Sequence, residues 1–450
     1  MSSLEALMVT TTGVVGAGLL TWWRFLDHHT TRPNSLDRIV DAAPPELRTA
    51  AFILADPAQT NIMFEALKLG DREGGFPHVV AWGYTDHGID AEVQLLGGQK
   101  PGDWTNDDTT ATLATYFAVG EVTVVSTEPS HVRIQVRTFD VLGETIDAGA
   151  PATTPAAEVV TAASVGVDLE SIPVGVTELG TPWRVRILYA HLLVAGATGS
   201  GKGSVLWSIL DGLGPAIRAG LVDVWMADPK GGAEFGRGEG RLFVRFGVDS
   251  ESILAMLREA VELMRERLAR MRHDGVRKLT PTIDEPLILI VIDEAASLSS
   301  YAERDEQNEF RRLTGLLLSQ GRAAGFSVVA ALQDPSKETM PNRQLFPVRI
   351  GLRLDEPTQT AMVHGQGARD RGARCDKISE TTPGVGYVGE DGTTGFVRVR
   401  AFWVDDAAAN AIVDAYSPAG PDTAPAADYS GFDPDDLGDG EGTDHGPVAA

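Results

Sequence analysis

Cysteine is almost absent from this chain, since Cys375 is the only one in 450 residues. A single thiol cannot build a disulfide framework or a cysteine metal cluster, so a reducing compartment fits the composition. Cys375 stands among arginine and aspartate residues with no evident base beside it, which argues against a nucleophile. The 9 histidines show no metal-ligand spacing either. The composition therefore excludes a disulfide-stabilised secreted domain and a zinc-binding module.

An excess of basic residues is also missing, because the formal net charge is −25. The acidity is uneven along the chain. Residues 1–180 carry 9 Lys or Arg against 24 Asp or Glu, and residues 405–450 carry 0 against 11. Residues 181–404 carry 29 against 28, a net charge of +1. This central segment has enough basic residues to line a nucleic-acid channel, but charge alone does not decide its partner.

Long uncharged stretches are rare, and the exception lies near the N-terminus. Residues 6–23 carry no charge and end at Trp23, directly before Arg24. Eighteen such residues reach the minimum for a membrane span, and an interfacial tryptophan followed by a basic residue fits one. Threonines and glycines weaken the insertion energy, so a buried or interfacial helix is the alternative. We expect residues 1–30 to hold a single-pass anchor at the cytoplasmic face of the cell membrane.

The most specific pattern in the chain is HLLVAGATGSGKGS at residues 191–204. Its apolar part predicts a buried strand, and its glycines predict a turn that brings a lysine to the start of a helix. Such a loop points backbone N–H groups and a helix N-terminus at nucleotide phosphates, and the lysine contacts the β- and γ-phosphate oxygens. The residues predicted to bind ATP are Gly196, Ala197, Thr198, Gly199, Ser200, Gly201, Lys202, Gly203 and Ser204.

Position 203 departs from the usual phosphate-loop pattern. Gly203 stands where the motif has Ser or Thr, whose hydroxyl normally binds Mg²⁺. Ser204 follows one residue late, so either Ser204 substitutes for this hydroxyl or a water fills its place. The sequence leaves this magnesium ligand open.

A second motif supports nucleotide chemistry. LILIVI at residues 287–292 is a continuous apolar run, typical of a strand buried on both faces of a parallel sheet. It ends in Asp293 and Glu294. Asp293 is placed to hold Mg²⁺ through water, and Glu294 to polarise the attacking water, as in other phosphoryl-transfer motors. Together with the phosphate loop, this strand predicts a protein that binds and hydrolyses ATP.

Composition and periodicity divide the chain into six segments. Strands alternating with helices around a phosphate loop predict an α/β fold, a RecA-like P-loop NTPase motor with a parallel sheet, preceded by a small α+β domain. The predicted segments are a possible anchor at 1–30, a helical connector at 31–84, a β-α-β-β domain at 85–142, a linker at 143–165, the motor at 166–404 and an acidic, disordered tail at 405–450.

Five landmarks, in order, resemble the FtsK/SpoIIIE family of motor ATPases within the HerA-like P-loop translocases. The resemblance covers residues 85–404, and GKGS and DPKGG are similar to the branch found on actinobacterial conjugative plasmids, integrative elements and phages. The β-α-β-β segment is similar to the domain that precedes the family's motor. The landmarks are the phosphate loop, Asp-Pro-Lys at 228–230, an arginine-rich helix and turn at 264–279, Gly321–Gly325 and Ala331–Ser336.

This resemblance implies a mechanism and a set of partners. Lys202 would hold the phosphates, Asp293 the Mg²⁺ and Glu294 the catalytic water, while Gln333 would sense the γ-phosphate. Arg322 or Arg349 would act in trans on a neighbouring subunit's nucleotide. The partners implied are double-stranded DNA in the pore of a homo-hexameric ring and, because the chain shows no basic DNA-reading domain after the motor, accessory DNA-recognition or transfer proteins.

The sequence leaves three functions from different classes open. The first is an ATP-driven translocase of double-stranded DNA for conjugative or plasmid transfer or for segregation. The second is a protein-secretion motor of the same superfamily, similar to type VII systems, although those usually contain several motor domains. The third is a nucleotide-binding ring scaffold with weak hydrolysis, which Gly203 suggests and the other motif residues oppose.

Overall fold

The computed structural model describes residues 40–418, with gaps at 41, 129, 150–165, 338 and 391–394. Two sheets organise the described residues, one of four strands and one of ten. The four-stranded sheet has one apolar core, and the ten-stranded sheet has a core on each face. The chain therefore contains an N-terminal unit and a larger α/β unit.

The N-terminal unit is an antiparallel sheet in the order β1-β2-β4-β3, packed against helices. Buried and half-exposed residues alternate along β4, which places Val132, Ile134 and Val136 in the core. The side chain of Asn106 caps the longest of its helices by accepting a hydrogen bond from the N–H of Thr109 (2.8 Å). The strands are β1 (His78–Thr85), β2 (Gly88–Gln94), β3 (Glu121–Glu128) and β4 (His131–Arg137), and the helices are α1 (Arg48–Ala55), α2 (Pro57–Ala66), α3 (Pro101–Thr105) and α4 (Asp107–Phe117).

The predicted limits of this unit need correction. Strand β1 begins within the segment 31–84, for which the sequence predicts a helical connector. Met63 and Phe64 of α2 are fully buried in the same apolar core as the sheet. The helices before residue 85 therefore belong to the unit. Propensity alone missed β1 because its two faces are unevenly buried, so its apolar residues do not alternate cleanly.

The larger unit is a ten-stranded sheet in the order β6-β5-β14-β13-β12-β7-β11-β10-β8-β9. Its parallel strands are β7 (Leu192–Ala195), β8 (Val222–Ala227), β9 (Phe243–Gly247), β10 (Leu287–Ile292), β11 (Phe326–Leu332) and β12 (Val348–Leu352). Four further strands pair antiparallel at one side: β5 (Ile172–Thr177), β6 (Pro182–Val185), β13 (Val385–Glu390) and β14 (Val397–Ala401). The predicted mixed α/β fold is present, with a sheet that is mostly rather than wholly parallel.

Helices cover both faces of this sheet, which explains why its central strands are apolar throughout. All six residues of β10 and all seven of β11 are buried. Helix α6 buries an apolar stripe that includes Ile253, Leu257 and Met264. The helices are α5 (Lys202–Arg218), α6 (Ser250–Asp274), α7 (Ala295–Ser299), α8 (Arg304–Gln320), α9 (Pro357–His364) and α10 (Asp406–Tyr416).

A capping box between Glu303 and Glu306 starts helix α8 at Arg304, in a polar turn. Helix α10 lies in the segment predicted to be a disordered tail. Its Ile412 and Tyr416 are buried in the core beside α5, so residues 405–416 belong to the α/β unit.

The end of the predicted small domain and the start of the predicted linker also pack on the α/β unit. The carbonyl of Leu142 accepts a hydrogen bond from the buried Arg400 (2.7 Å), and the carbonyl of Ile146 accepts one from the N–H of Trp403 (2.7 Å). Arg398 makes two hydrogen bonds to the Asp140 carboxylate, at 3.1 and 2.8 Å. These bonds to β14 and to Trp403 hold the segment of chain that leaves the N-terminal unit.

Several sequence predictions fall outside the described residues: the membrane segment 6–23, the linker residues 150–165 and the tail from residue 419. Between residues 40 and 418, apart from the gaps, no helix is both long and apolar enough to cross a membrane. The anchor therefore stays a prediction.

Candidate nucleotide-binding site

The phosphate loop joins β7 to α5 at the carboxyl edge of the parallel sheet. Gly199 and Gly201 have φ values of +74° and +93°, which side-chain-bearing residues rarely adopt. A Cβ on Gly201 would overlap the backbone of Gly384, and one on Gly196 would overlap the side chain of Ser200. The glycines therefore let the loop turn tightly and bring Lys202 to the first position of α5.

Lys202 lies inside this loop. Its ammonium donates hydrogen bonds to the carbonyls of Gly196 (2.7 Å) and Ala197 (3.2 Å), and the side chain is buried. Burial lowers the pKa of Lys202, while the negative charge of Glu294 opposes that shift. The ammonium is thus held at the centre of the loop, where phosphate oxygens can replace the carbonyls as acceptors.

The two carboxylates predicted from the sequence lie at the end of β10, directly beside the loop. Asp293 is almost completely buried, and its Oδ2 accepts a hydrogen bond from Lys230 Nζ at 2.7 Å. Glu294 is 6% exposed; its Oε1 accepts a long hydrogen bond from the N–H of Gln333 (3.4 Å), and no group among the described residues donates to its Oε2. Burial raises the pKa of Glu294, and the positive charge of Lys202 opposes the rise. A buried carboxylate oxygen without a donor is suited to accept a proton from water.

Gln333 connects β11 to the phosphate loop. Parallel pairing places the end of β11 beside the end of β7, with Leu332 opposite Ala195. The side-chain carbonyl of Gln333 then accepts a hydrogen bond from the Thr198 hydroxyl (3.1 Å). The Thr198 carbonyl also accepts a hydrogen bond from Arg353 (2.8 Å). The structure therefore brings together the loop, Lys202, both carboxylates and Gln333 at one edge of the sheet.

The two predicted trans-acting arginines lie elsewhere. Arg322 comes before β11 in the chain, and it lies close to His191, the residue before β7. Burial and then the positive charge of Arg322 lower the pKa of His191 to about 3. The seven residues of β11 lie between Arg322 and Gln333, and this strand spans roughly 20 Å. Arg349 lies on β12 opposite Leu193, and its Nε donates to the Phe346 carbonyl (3.0 Å). Neither arginine joins the nucleotide site of its own subunit.

Cys375 also lies away from the phosphate loop. It is fully buried, and its thiol donates to the Gly351 carbonyl (3.3 Å). Burial raises the pKa of Cys375 to about 12. A thiol in this state is not a nucleophile, so Cys375 takes no part in the chemistry of this site.

Three residues of the site were given no role from the sequence, although the DPKGG pattern contains two of them. The fully buried Asp228 accepts hydrogen bonds from the N–H groups of Lys230 (3.2 Å), Glu234 (3.1 Å) and Phe235 (3.0 Å). These bonds fold residues 228–235 into a turn at the end of β8. The turn presents Lys230 to Asp293 and brings Glu234 against the start of α5.

Glu234 occupies the space beside Gly203. A Cβ built on Gly203 would overlap the Oε1 atom of Glu234. Partial burial, and then the negative charge of Asp293, raise the pKa of Glu234, while Lys230 opposes the rise. Ser204, the alternative hydroxyl, is buried on the first turn of α5. Four acidic residues and two lysines therefore surround the start of this helix: Asp228, Asp293, Glu234, Glu294, Lys202 and Lys230.

The residues fit a magnesium ion that arrives with a nucleotide. Among the described residues, no three His, Cys, Asp or Glu side chains are grouped so as to hold a metal by themselves. Mg²⁺ commonly binds one or two protein carboxylates together with phosphate oxygens and waters. Asp293 and the Oε2 atom of Glu294, which has no donor among the described residues, supply such carboxylate oxygens.

The fold and the loop define the α/β unit as a P-loop NTPase. The model of the FtsK/SpoIIIE family matches residues 156–285. This match agrees with the resemblance to the family that the sequence landmarks indicate, and three of the five landmarks lie within it.

Named relatives match part of the chain. DNA translocase FtsK from Staphylococcus aureus (strain Mu50 / ATCC 700699) is 26% identical over 200 residues, which is 40% of this chain and 25% of the relative. DNA translocase SpoIIIE from Bacillus subtilis (strain 168) gives the same values. The chain thus spans about a quarter of the length of the curated relatives it matches.

Solved structures also resemble the chain, with TM-scores below 0.5. The pCW3 conjugation coupling protein TcpA, in its monomer form with ATPγS, has a TM-score of 0.49 at 19% identity, covering 79% of this chain and 98% of that one. The cytoplasmic domain of the type VII secretion ATPase EccC of Thermomonospora curvata has a TM-score of 0.46 at 23% identity, covering 57% and 32%.

Proposed function

We propose that this chain is an ATP-driven translocase of double-stranded DNA. The observation that carries the proposal is the meeting of Lys202, Asp293, Glu294 and Gln333 at one edge of a P-loop sheet, in a chain whose residues 156–285 match the model of the FtsK/SpoIIIE family. The DNA substrate rests on the family and on the relatives named DNA translocases. The near-neutral charge of residues 181–404 does not oppose a nucleic-acid partner.

In this proposal each residue has a defined task in hydrolysis. Lys202 and the N–H groups of the loop bind the phosphates, and Asp293 holds Mg²⁺, which neutralises charge on the phosphates when it is bound. Glu294 accepts the proton of the attacking water through its unpaired oxygen. Gln333 contacts the γ-phosphate, and its bond to Thr198 links that contact to the loop.

The proposal includes assembly into a homo-hexameric ring around the DNA. Arg322 and Arg349 lie outside their own subunit's nucleotide site, which supports their use in trans. An arginine supplied by the neighbouring subunit would stabilise transition-state charge and make hydrolysis depend on the ring. We further propose that residues 6–23 attach the ring to the cytoplasmic face of the membrane, and that the setting is conjugative, plasmid or mobile-element transfer with accessory DNA-recognition proteins.

We propose a revised division of the described chain on the same basis. Residues 40–140 form the N-terminal unit, and residues 166–416 form the motor. The segment around Leu142 and Ile146 docks on the motor. Movement of the motor during hydrolysis would reach the N-terminal unit through this segment.

The direct test is ATP hydrolysis by the full chain with no nucleic acid, with duplex DNA and with single strands. Lys202→Ala is the control, since it removes the phosphate contact. We expect duplex DNA to stimulate hydrolysis strongly in the wild type and not in the control. Turnover that ignores DNA would favour the protein-secretion motor, and nucleotide binding without turnover would favour the scaffold.

A further inference from the structure

We propose that Glu234 replaces the missing Ser or Thr hydroxyl of the phosphate loop as the protein ligand, direct or through one water, of the nucleotide's magnesium ion. This inference rests on the proposed function of the ATP site. It gives a role to Glu234, a residue to which the proposed function assigns none. The chain lacks the usual hydroxyl because Gly203 stands in its place.

The carboxylate of Glu234 lies where the side chain of the usual ligand would begin. A P-loop Ser or Thr directs its hydroxyl from the first turn of the helix toward the metal. At Gly203 the built Cβ overlaps Oε1 of Glu234, so the glutamate fills the space that a serine side chain would take. The loop therefore lacks the usual hydroxyl at position 203, and the turn after β8 provides the carboxylate of Glu234 instead.

Neighbouring residues hold the backbone of Glu234 in place. Its N–H donates to the fully buried Asp228 carboxylate (3.1 Å). The next residue, Phe235, is buried and stacks on Trp207 with ring centroids 5.0 Å apart. Trp207 and Gly203 are four residues apart on α5, so they lie on one face of the helix. Phe235 thus anchors the turn one helical turn beyond the point where Glu234 meets Gly203.

The surrounding charges also suit a divalent cation. Glu234 lies near Asp293, the carboxylate that we propose holds Mg²⁺, and Glu294 adds a buried oxygen with no donor among the described residues. Lys230 is the cation that faces Asp293 in this structure. Mg²⁺ prefers carboxylate and phosphate oxygens with waters completing its shell. A carboxylate at this point therefore provides a ligand at least as strong as the hydroxyl it replaces.

The test measures Mn²⁺ binding in place of Mg²⁺, by electron paramagnetic resonance of free Mn²⁺ titrated into the full chain with ADP. Glu234→Gln keeps the shape of the side chain and removes its charge. We expect it to weaken Mn²⁺ binding about ten-fold or more, the loss typical when a supporting group of a metal site is removed. ADP affinity in EDTA should stay unchanged, because no phosphate contact is lost.

A rescue experiment separates a metal ligand from a structural role. Glu234→Ala should lose Mn²⁺ affinity, and adding Gly203→Ser to it should restore the affinity through the conventional hydroxyl. Ser204→Ala, which removes the alternative hydroxyl, should change the Mn²⁺ affinity little. Unchanged Mn²⁺ affinity in Glu234→Gln, failure of the rescue, or a loss in Ser204→Ala alone would overturn the inference. A wild-type chain that binds no nucleotide, even in EDTA, would instead contradict the proposed function itself.

Discussion

The ammonium of Lys230 lies 2.7 Å from the carboxylate of Asp293, across the ends of the neighbouring strands β8 and β10. The carboxylate is 4% exposed, whereas the lysine side chain is 43% exposed. The nearly buried negative charge of Asp293 is thus compensated by the ammonium of Lys230, which reaches it from the solvent side. Mg²⁺ bound with a nucleotide would compensate this charge in place of Lys230.

Replacing Lys230 with methionine should destabilise the protein when metal is absent. The buried Asp293 then has no hydrogen-bonded cation, and we expect a cost of about 1–3 kcal/mol, below that of a fully buried pair because the lysine is partly exposed. Thermal unfolding in EDTA measures the effect, and Lys100→Met in the N-terminal unit is the control. Adding Mg²⁺ with ADP should recover part of the loss. Equal melting temperatures of the variant and the wild type in EDTA would show that the pair contributes nothing.

Glu294 should give hydrolysis a distinctive pH dependence. Burial raises its pKa above the ordinary glutamate value of 4.5, so the carboxylate becomes protonated at a higher pH than an exposed glutamate. A protonated Glu294 cannot accept a proton from water, and kcat/KM, which reports the free enzyme, should therefore fall with decreasing pH along a limb centred above pH 4.5. Glu294→Gln should lose about 10²-fold or more in kcat while still binding ATP. A kcat/KM limb centred at the ordinary value, or normal turnover in Glu294→Gln, would remove Glu294 from its assigned task.

Asp211 on α5 should make folding stability depend on pH. Burial raises its pKa to about 6, and a hydrogen bond from Tyr416 opposes part of the rise. The folded state then holds the proton more tightly than the unfolded chain, so this residue costs stability above pH 6 and the cost disappears as pH falls toward 4. Asp211→Asn should raise the free energy of unfolding by about 1–3 kcal/mol at pH 8 and leave it unchanged near pH 4.

The comparison needs a control for the other carboxylates, which titrate in the same range. Asp284→Asn, at an exposed position, supplies it. Unfolding curves of wild type and both variants between pH 4 and 8 give the difference directly. If Asp211→Asn and Asp284→Asn behave alike at all pH values, Asp211 does not carry the predicted cost.

Helix α10 should contribute to the stability of the motor. Tyr416 is 1% exposed, and its ring lies so close to Gly214 of α5 that a Cβ there would overlap it. Tyr416→Ala should cost about 3–5 kcal/mol by leaving a cavity, and Tyr416→Phe, which keeps the ring, about 1 kcal/mol. Chemical unfolding checks both. Wild-type stability in Tyr416→Ala would mean that residues 405–416 are not part of the folded motor.

The nucleotide site was largely predictable because its residues are local in sequence. The strand before Gly196, the glycine turn and the lysine follow one another, and β10 is recognisable from six apolar residues before Asp293. In a parallel sheet the carboxyl ends of such strands meet at one edge, which also brings in Gln333. The family resemblance then supplied roles that the local pattern did not.

The features that were missed depend on distant contacts. Glu234 is 31 residues from Gly203, and only the fold of the turn after β8 brings them together. Strands β13 and β14 extend the sheet antiparallel, although their glycines and charged residues weaken a strand pattern. The acidic composition after residue 404 hid the apolar face of α10. In each case tertiary packing outweighs the local signal.

Displacement of a third strand from duplex DNA is the measurement that tests translocation most directly. A labelled oligonucleotide bound as a triplex at one end of a duplex is released only when a motor travels along that duplex. We expect the full chain to release it with ATP and Mg²⁺, and not with ATPγS or with Glu294→Gln. Release that never exceeds the level without ATP, from a chain that hydrolyses ATP, would contradict the account of this protein as a DNA translocase.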